Sequence, residues 1–254
     1  AQKSFPVELF RLNALCRRPI AKWSIANLTP SRLAEYRDER LKQVGNGTVI
    51  RELSYISAII NHARREWGIN VANPVLLVRK PATPEGRSRI LTESERVRLI
   101  EALNPSPRSN VWVKPLVQLA LETAMRKGEI LALRWEHIDL VNQTAFLPMT
   151  KNGDSRTVPL SSVAIRVLHG LPRSINGVVF PITVANLHAR FKRAVKRAGL
   201  VDFRFHDLRH TAVTVMAKKL PNIIELSAVS GHKNLGMLKR YYHPDPKQLA
   251  QKLG

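Results

Sequence analysis

The stretch VRKPATPEGRSR, residues 78–89, limits what this chain can fold into more than any other. It is rich in proline and basic residues and has no apolar period, so neither a helix nor a strand could bury a face there. A chain of 254 residues broken in this way is expected to form two bodies joined by a linker, one over residues 1–77 and one over 90–254. Its 44% apolar content is enough for a core in each.

The first body reads as helical. In TPSRLAEYRDERLKQ, Thr29 is placed to cap a helix with Pro30 at its first position, where a missing N–H costs nothing. After the breaker Gly45-Asn46-Gly47, Thr48 is the expected cap of a long helix. Its apolar positions Val49, Leu53, Ile56, Ile60, Ala63 and Trp67 recur in alternating steps of four and three, which makes one buried stripe. Arg51, Arg64 and Arg65 fall outside that stripe and can face a partner. In the second body, Thr92 and Glu95 form a capping box, and further helices are expected near 111–125, 161–169, 183–198, 206–219 and 222–229. The one convincing β signal is TAFLPMTKNGDSRTVPL, two short strands flanking the hairpin turn Asn152-Gly153. The expected fold class is therefore mainly α with a small antiparallel β-sheet.

Charge narrows the class of partner. The chain carries 41 lysines and arginines against 19 acids, a net charge of +22. Residues 1–85 hold 14 of the basic and 7 of the acidic residues, so both parts are positive and no single basic tail accounts for the excess. A surface of this kind attracts a polyanion, of which nucleic acid is the usual one. In TVANLHARFKRAVKRAG, Arg190, Arg193 and Arg197 recur on one helical face with Lys192 and Lys196 beside them. Such a set suits phosphates better than base edges. Cys16 is the only cysteine, so there is no disulfide framework and no cysteine-rich zinc site. No apolar run approaches the ~18–20 residues that span a bilayer, and the start is not a signal peptide. No membrane role and a cytoplasmic, nucleoid-associated location are expected. The chain lacks an initial Met and begins inside what reads as a helix, so it is expected to be a fragment with something upstream.

Chemistry enters through residues that are weak signals singly. His206 and His210 in HDLRH share a helical face and could bind zinc, but Asp207 replaces the glutamate of a zinc protease, Arg209 is cationic, and no third ligand is evident. Together with the other candidates they fit a DNA phosphodiester attacked by a tyrosine. The five-coordinate transition state gathers negative charge on its non-bridging oxygens, and without a metal, arginine forks must hold it: Arg126 and Arg209. The departing 5′ oxygen needs a proton, which Lys151 beside the hairpin turn can supply. His206 and His232 can hold phosphate oxygens or assist deprotonation, and Tyr241 and Tyr242 offer phenols. No metal, cofactor or nucleotide-binding P-loop is called for.

These segments resemble the tyrosine recombinase, or phage integrase, family, which uses Arg…Lys…His-x-x-Arg…His…Tyr in this chain order. LETAMRKGEILALRWEHIDL is similar to its first arginine segment, with Arg126 and, three residues on, Glu129. TKNGDSRTVPL, FHDLRHTAVT and SGHKNLGMLKRYYH are similar to its lysine hairpin, its second arginine box and its closing segment. VRKP, LETAMR and MLKRY resemble shufflon-type and mobile-element integrases. The resemblance implies a helical core-binding domain over 1–77, a linker at 78–89 and a mixed α/β catalytic domain over 90–254. It implies Arg126, Lys151, His206, Arg209, His232 and Tyr241 as catalytic residues, with Glu129 orienting its neighbours. Tyr241 lies nine residues beyond His232, the family's usual interval, which leaves Tyr242 a packing role. The implied activity is site-specific recombination of double-stranded DNA through a 3′-phosphotyrosyl link, by a homotetramer with accessory DNA-bending proteins as further partners. A type IB topoisomerase with the same chemistry, or a DNA-binding protein with a dead site, are the alternatives. The closing PDPKQLAQKLG could dock in cis or on a neighbouring subunit.

Overall fold

The computed structural model describes residues 5–104, 111–148, 155–242 and 250–251. The chain divides into two compact units, Ala1–Gly86 and Arg87–Gly254.

The first unit contains helices α1 (Phe5–Cys16), α2 (Pro30–Leu41) and α3 (Asn46–Glu66). Thr29 caps α2 as its sequence suggests, its hydroxyl accepting from the Arg32 N–H at 3.3 Å. The start of α3 differs from expectation. Gly45, not Thr48, is the cap residue, and its carbonyl accepts from the Thr48 N–H at 2.9 Å. First-turn N–H groups have no partner inside a helix, so a glycine cap with Gly47 behind it costs about 1 kcal/mol or less. Burying the stripe outweighs this, since each fully buried leucine or isoleucine contributes about 1.5–3 kcal/mol. Val49, Leu53, Ile56, Ile60 and Ala63 are all buried on α3, four of them in one core with Leu15, Leu33, Tyr36 and Val75. Trp67 does not join them. The helix ends at Glu66, Gly68 turns the chain with φ +65°, and Trp67 stays 63% exposed with its ring against His62. Beneath α2 and α3, Arg40 donates to Glu52 through Nε (2.9 Å) and Nη2 (2.7 Å), and the Tyr36 hydroxyl donates to the same carboxylate at 2.7 Å.

The second unit is built around α5 (Val113–Thr123), whose Leu116, Val117, Leu119 and Ala120 are buried. Before it comes α4 (Glu93–Ala102), opened by the Thr92–Glu95 capping box. After it come the short α6 (Lys127–Leu131), strands β1 (Ile138–Asp139), β2 (Thr144–Leu147) and β3 (Arg156–Pro159), then α7 (Ser162–His169), α8 (Val184–Arg197), α9 (Phe205–Lys219) and α10 (Ile223–Ser230). The sheet is antiparallel in the order β1-β2-β3, with Ala145 opposite Val158 and Leu147 opposite Arg156. Ala145, Leu147 and Val158 point into the core that α5, α7 and α8 complete. The strands flanking the hairpin are thus as expected, whereas Asn152-Gly153 itself lies outside the described residues. Two elements escape sequence reading, β1 and α6. Two residues cannot display alternation, and five cannot display a helical period.

Candidate active site

α5 ends at Ala124, a fully buried residue in the left-handed conformation at φ 52°. This abrupt turn buries Met125 and places Arg126 at the cap of α6. Glu129, one turn on, folds back on it: Oε2 accepts from the Arg126 N–H and Oε1 from Arg126 Nη1, both at 2.8 Å. The same carboxylate receives Arg156 from β3, Nη1 on Oε1 and Nη2 on Oε2, each at 3.0 Å. Burial alone would push Glu129 up, but the bonds from Arg156 and Arg126 outweigh it and hold the carboxyl below its usual range. Arg156 is the residue sequence reading missed here. Alternation was the available signal, because Arg156 lies two residues before inward-facing Val158 and so falls on the buried side of β3.

α10 brings the next group. It ends at Gly231, where φ is +68° and a Cβ would come within 2.6 Å of the Arg156 guanidinium, so only glycine fits. The Gly231 carbonyl accepts from Arg126 Nη2 at 3.1 Å. Next to it, the buried Ser230 hydroxyl donates to the Leu226 carbonyl at 2.6 Å and sits 2.7 Å from His232 Nδ1. Its one hydrogen being spent, it must accept from Nδ1–H. That fixes the tautomer and leaves His232 Nε2 to accept from Arg209 Nη2 at 3.3 Å.

Arg209 and the histidines come from α9. Its first turn is held by Asp207, fully buried, which accepts from the Arg204 N–H at 2.8 Å and from Arg87 Nη2 at 2.8 Å. The aspartate in HDLRH is thus an anchor. Among the described residues no group of three His, Cys, Asp or Glu could hold a metal. Arg209 is only 5% exposed, and its Nη1 donates to the Ala124 carbonyl at 2.5 Å. Burial, with Arg126 adding to it, lowers its pKa to about 10, which still leaves it charged at neutral pH. Burial and then Arg209 lower His232 to about 4, so that ring is neutral. His206 is exposed at the start of α9, its ring edge-on to His210 at 5.2 Å.

The two tyrosines part company. They close a short 3-10 turn, Lys239–Tyr241, against α9. Tyr242 donates its hydroxyl to the Leu220 carbonyl at 2.6 Å and packs on the cluster of Ala124, Ala212, Val213, Leu226 and Leu238. Tyr241 turns the other way, and its hydroxyl lies 2.5 Å from His210 Nδ1. Burial raises the Tyr241 pKa, against the opposing charges of Arg240 and Arg209. The sequence shows His210 only as one of two histidines on a helical face, and its partnership with a residue 31 positions away leaves no mark there.

The structure thus gathers Arg126, Glu129, Arg209, His206, His232 and Tyr241 from α6, α9, α10 and the closing turn, with Arg156 and His210 added. Three guanidiniums surround one carboxylate, an excess of positive charge suited to an anion. Lys151 lies outside the described residues, as does most of PDPKQLAQKLG. The α8 cations stand apart. Lys192, Arg193, Lys196 and Arg197 are exposed, Arg190 is half-buried, and Arg197 Nη2 is engaged with the Ala102 carbonyl at the end of α4, 2.6 Å away. Arg51, Arg64 and Arg65 are exposed on α3, the last two beside Asn61, Ile69 and Asn70 around a shallow concavity.

Residues 89–248 match the model of the phage integrase family. A shufflon-specific DNA recombinase of Escherichia coli is 43% identical over 99% of this chain and 67% of its own length. Among solved structures, the Tn1549 transposon integrase in complex with circular intermediate DNA superposes with a TM-score of 0.79 at 18% identity, covering 100% of this chain and 94% of that one. A lambda integrase tetramer bound to a Holliday junction superposes with a TM-score of 0.76 at 20% identity, covering 92% of this chain and 73% of that one. At those identities the structural likeness shows the fold.

Proposed function

The chain belongs to the phage integrase family, and on that premise we propose that it is a site-specific DNA recombinase with Tyr241 as its nucleophile. The observation that carries the reading is the convergence of Arg126, Arg209, His232 and Tyr241, from three distant stretches, around a site rich in positive charge and served by one carboxylate. The Tyr241 oxygen attacks the scissile phosphorus, forming a 3′-phosphotyrosyl ester and releasing a 5′ hydroxyl. Arg126 and Arg209 hold the non-bridging oxygens, where guanidinium forks stabilise the charge that develops in the transition state. Glu129 orients Arg126, and Lys151 protonates the departing oxygen. His206 and His232 complete the phosphate site. Because the ester stores the energy of the broken bond, the 5′ hydroxyl of a second strand can attack it in return, and no external energy source is needed.

On this reading residues 1–77 form a core-binding domain, 90–254 the catalytic domain and 78–89 the linker between them. Arg51, Arg64, Arg65 and the α8 set Arg190, Lys192, Arg193, Lys196 and Arg197 contact DNA phosphates. The enzyme works in the bacterial cytoplasm as a tetramer that pairs two copies of a specific DNA site, aided by DNA-bending proteins. Affinity then falls steeply with salt, by on the order of 10³ or more over a few-fold change if ~6–10 phosphates are neutralised.

The test is covalent trapping on a nicked duplex carrying the end sequence of the element that encodes the chain, in EDTA. The nick lets the cleaved fragment leave, so an adduct accumulates. An adduct in wild type and in Tyr242→Phe that vanishes in Tyr241→Phe supports the assignment. An adduct that survives Tyr241→Phe, or no adduct in wild type, overturns it.

A further inference from the structure

The mechanism above leaves open where the phenolic proton of Tyr241 goes. His232 is a poor recipient, since its Nδ1 hydrogen is held by Ser230 and its Nε2 faces Arg209. The ring in contact with the phenol belongs to His210, with Nδ1 2.5 Å from the tyrosine oxygen. α9 aims it there. His210 is one helical turn beyond His206, on the same face, and the turn Lys239–Tyr241 packs against that helix. The two rings lie nearly parallel, inclined by 28° with centroids 6.2 Å apart.

We propose that His210 is the general base for Tyr241, accepting the phenolic hydrogen at Nδ1 as the tyrosine oxygen attacks phosphorus. This rests on Tyr241 being the nucleophile. In the step, the O–H bond of Tyr241 breaks and its hydrogen passes to His210 Nδ1. The bond from the tyrosine oxygen to phosphorus forms as the bond from phosphorus to the 5′ oxygen breaks, and that oxygen takes a proton from Lys151. On rejoining, an incoming 5′ hydroxyl gives its hydrogen to the Lys151 amine as its oxygen attacks phosphorus, and His210 returns the proton to the departing tyrosine oxygen.

A hydrogen bond that merely filled a polar gap would also join these two side chains. What distinguishes the site is its charge. The groups facing His210 are His206, Asp207 and Arg209 on its own helix, His232 just beyond α10 and Arg240 on the closing turn. Asp207 is already committed to Arg87 and the Arg204 N–H. Burial first, then His206 and Arg240, lower the pKa of His210 to about 4, so a bare acceptor nitrogen is available throughout neutral pH. Burial raises the pKa of Tyr241, while Arg240 and Arg209 act the other way and favour its phenolate, the Arg240 guanidinium lying 5.3 Å from its ring centre. An anionic phosphate entering beside them brings the opposite charge that an imidazolium requires.

The test measures single-turnover adduct formation on the nicked duplex across pH, comparing wild type with His210→Ala and His210→Asn and using Tyr241→Phe as the blank. Asparagine can place an acceptor oxygen near the Nδ1 position, so it keeps the hydrogen bond and loses the base. Both variants should bind the duplex with wild-type affinity and melt cooperatively, yet form adduct about 10²-fold more slowly or worse at neutral pH. The rate of His210→Asn should climb roughly tenfold per pH unit toward the titration of the phenol, where wild type is flat. A His210→Asn protein with a wild-type rate and profile would show that His210 only holds the ring, and the inference fails while the functional reading stands. A wild type that forms no adduct removes the functional reading and this inference with it.

Discussion

Each unit of this protein contains a carboxylate that grips arginine, and the two differ in one respect. In the first unit Glu52 takes two bonds from Arg40 and one from the Tyr36 hydroxyl, so one guanidinium is bonded to one carboxylate, with Arg18 near enough to help lower its pKa. In the second, Glu129 takes both Arg126 and Arg156, while Arg209 stands close enough for its own pKa to feel them. The chemistry of the bonds is the same. In the first knot one carboxylate serves one bonded guanidinium, whereas in the second one carboxylate serves two with a third beside it, a surplus of positive charge that an anion would offset. Surplus positive charge on such a cluster suits it to an anion.

The strongest way to break the comparison is to remove each carboxylate. Glu52→Gln and Glu129→Gln should each cost up to about 3–5 kcal/mol of stability, because the first strands the buried Arg40 and the second the half-buried Arg126 and Arg156. Thermal unfolding should show both losses. Only Glu129→Gln should also slow adduct formation in protein that remains folded. If Glu52→Gln slowed it equally, the two knots would not differ in function.

Replacing the unpaired cation comes next. Arg209→Lys keeps the charge and loses the fork that reaches both the Ala124 carbonyl and His232, and should lower the trapping rate by about 10²–10³. Arg40→Lys should leave that rate unchanged.

Acid sharpens the contrast. His210 and His232 have folded pKa values of about 4, below the usual 6.5, so between those values the unfolded chain binds more protons than the folded one. Stability is therefore full above about pH 6.5 and falls as pH drops toward 4. The lowered carboxyls of Glu52 and Glu129 act only further down, as pH falls below their ordinary 4.5. A melting series should show the histidine-dependent loss in wild type and a flatter profile in the double variant His210→Asn, His232→Gln. The smallest effect belongs to Tyr242→Phe, which leaves the Leu220 carbonyl without its donor. It should cost about 1 kcal/mol and leave the adduct intact.

Much of the fold was legible because it depends on local repetition. The α3 stripe, the Thr29 cap, the Thr92–Glu95 box and the strands either side of the hairpin all follow from residues within a few positions of each other. Misreadings came at edges. Trp67 continues the period, but the helix stops one residue earlier, and Thr48 looks a better cap than Gly45 although the backbone starts the helix at Asn46. In the site, Arg126, Glu129, Arg209, His232 and Tyr241 were legible as types suited to phosphate chemistry and through resemblance to a family.

The sequence by itself determined the two bodies, their helical periods, the positive charge and the choice of residues able to stabilise a phosphate. Only the tertiary structure decided that Arg156 reaches Glu129, that Ser230 sets the His232 tautomer, and that His210 rather than a more distant ring meets Tyr241. Those bonds join residues separated by up to 31 positions or depend on where a single hydrogen lies. No local pattern encodes them, because their geometry is set by how α9, α10 and the sheet pack together.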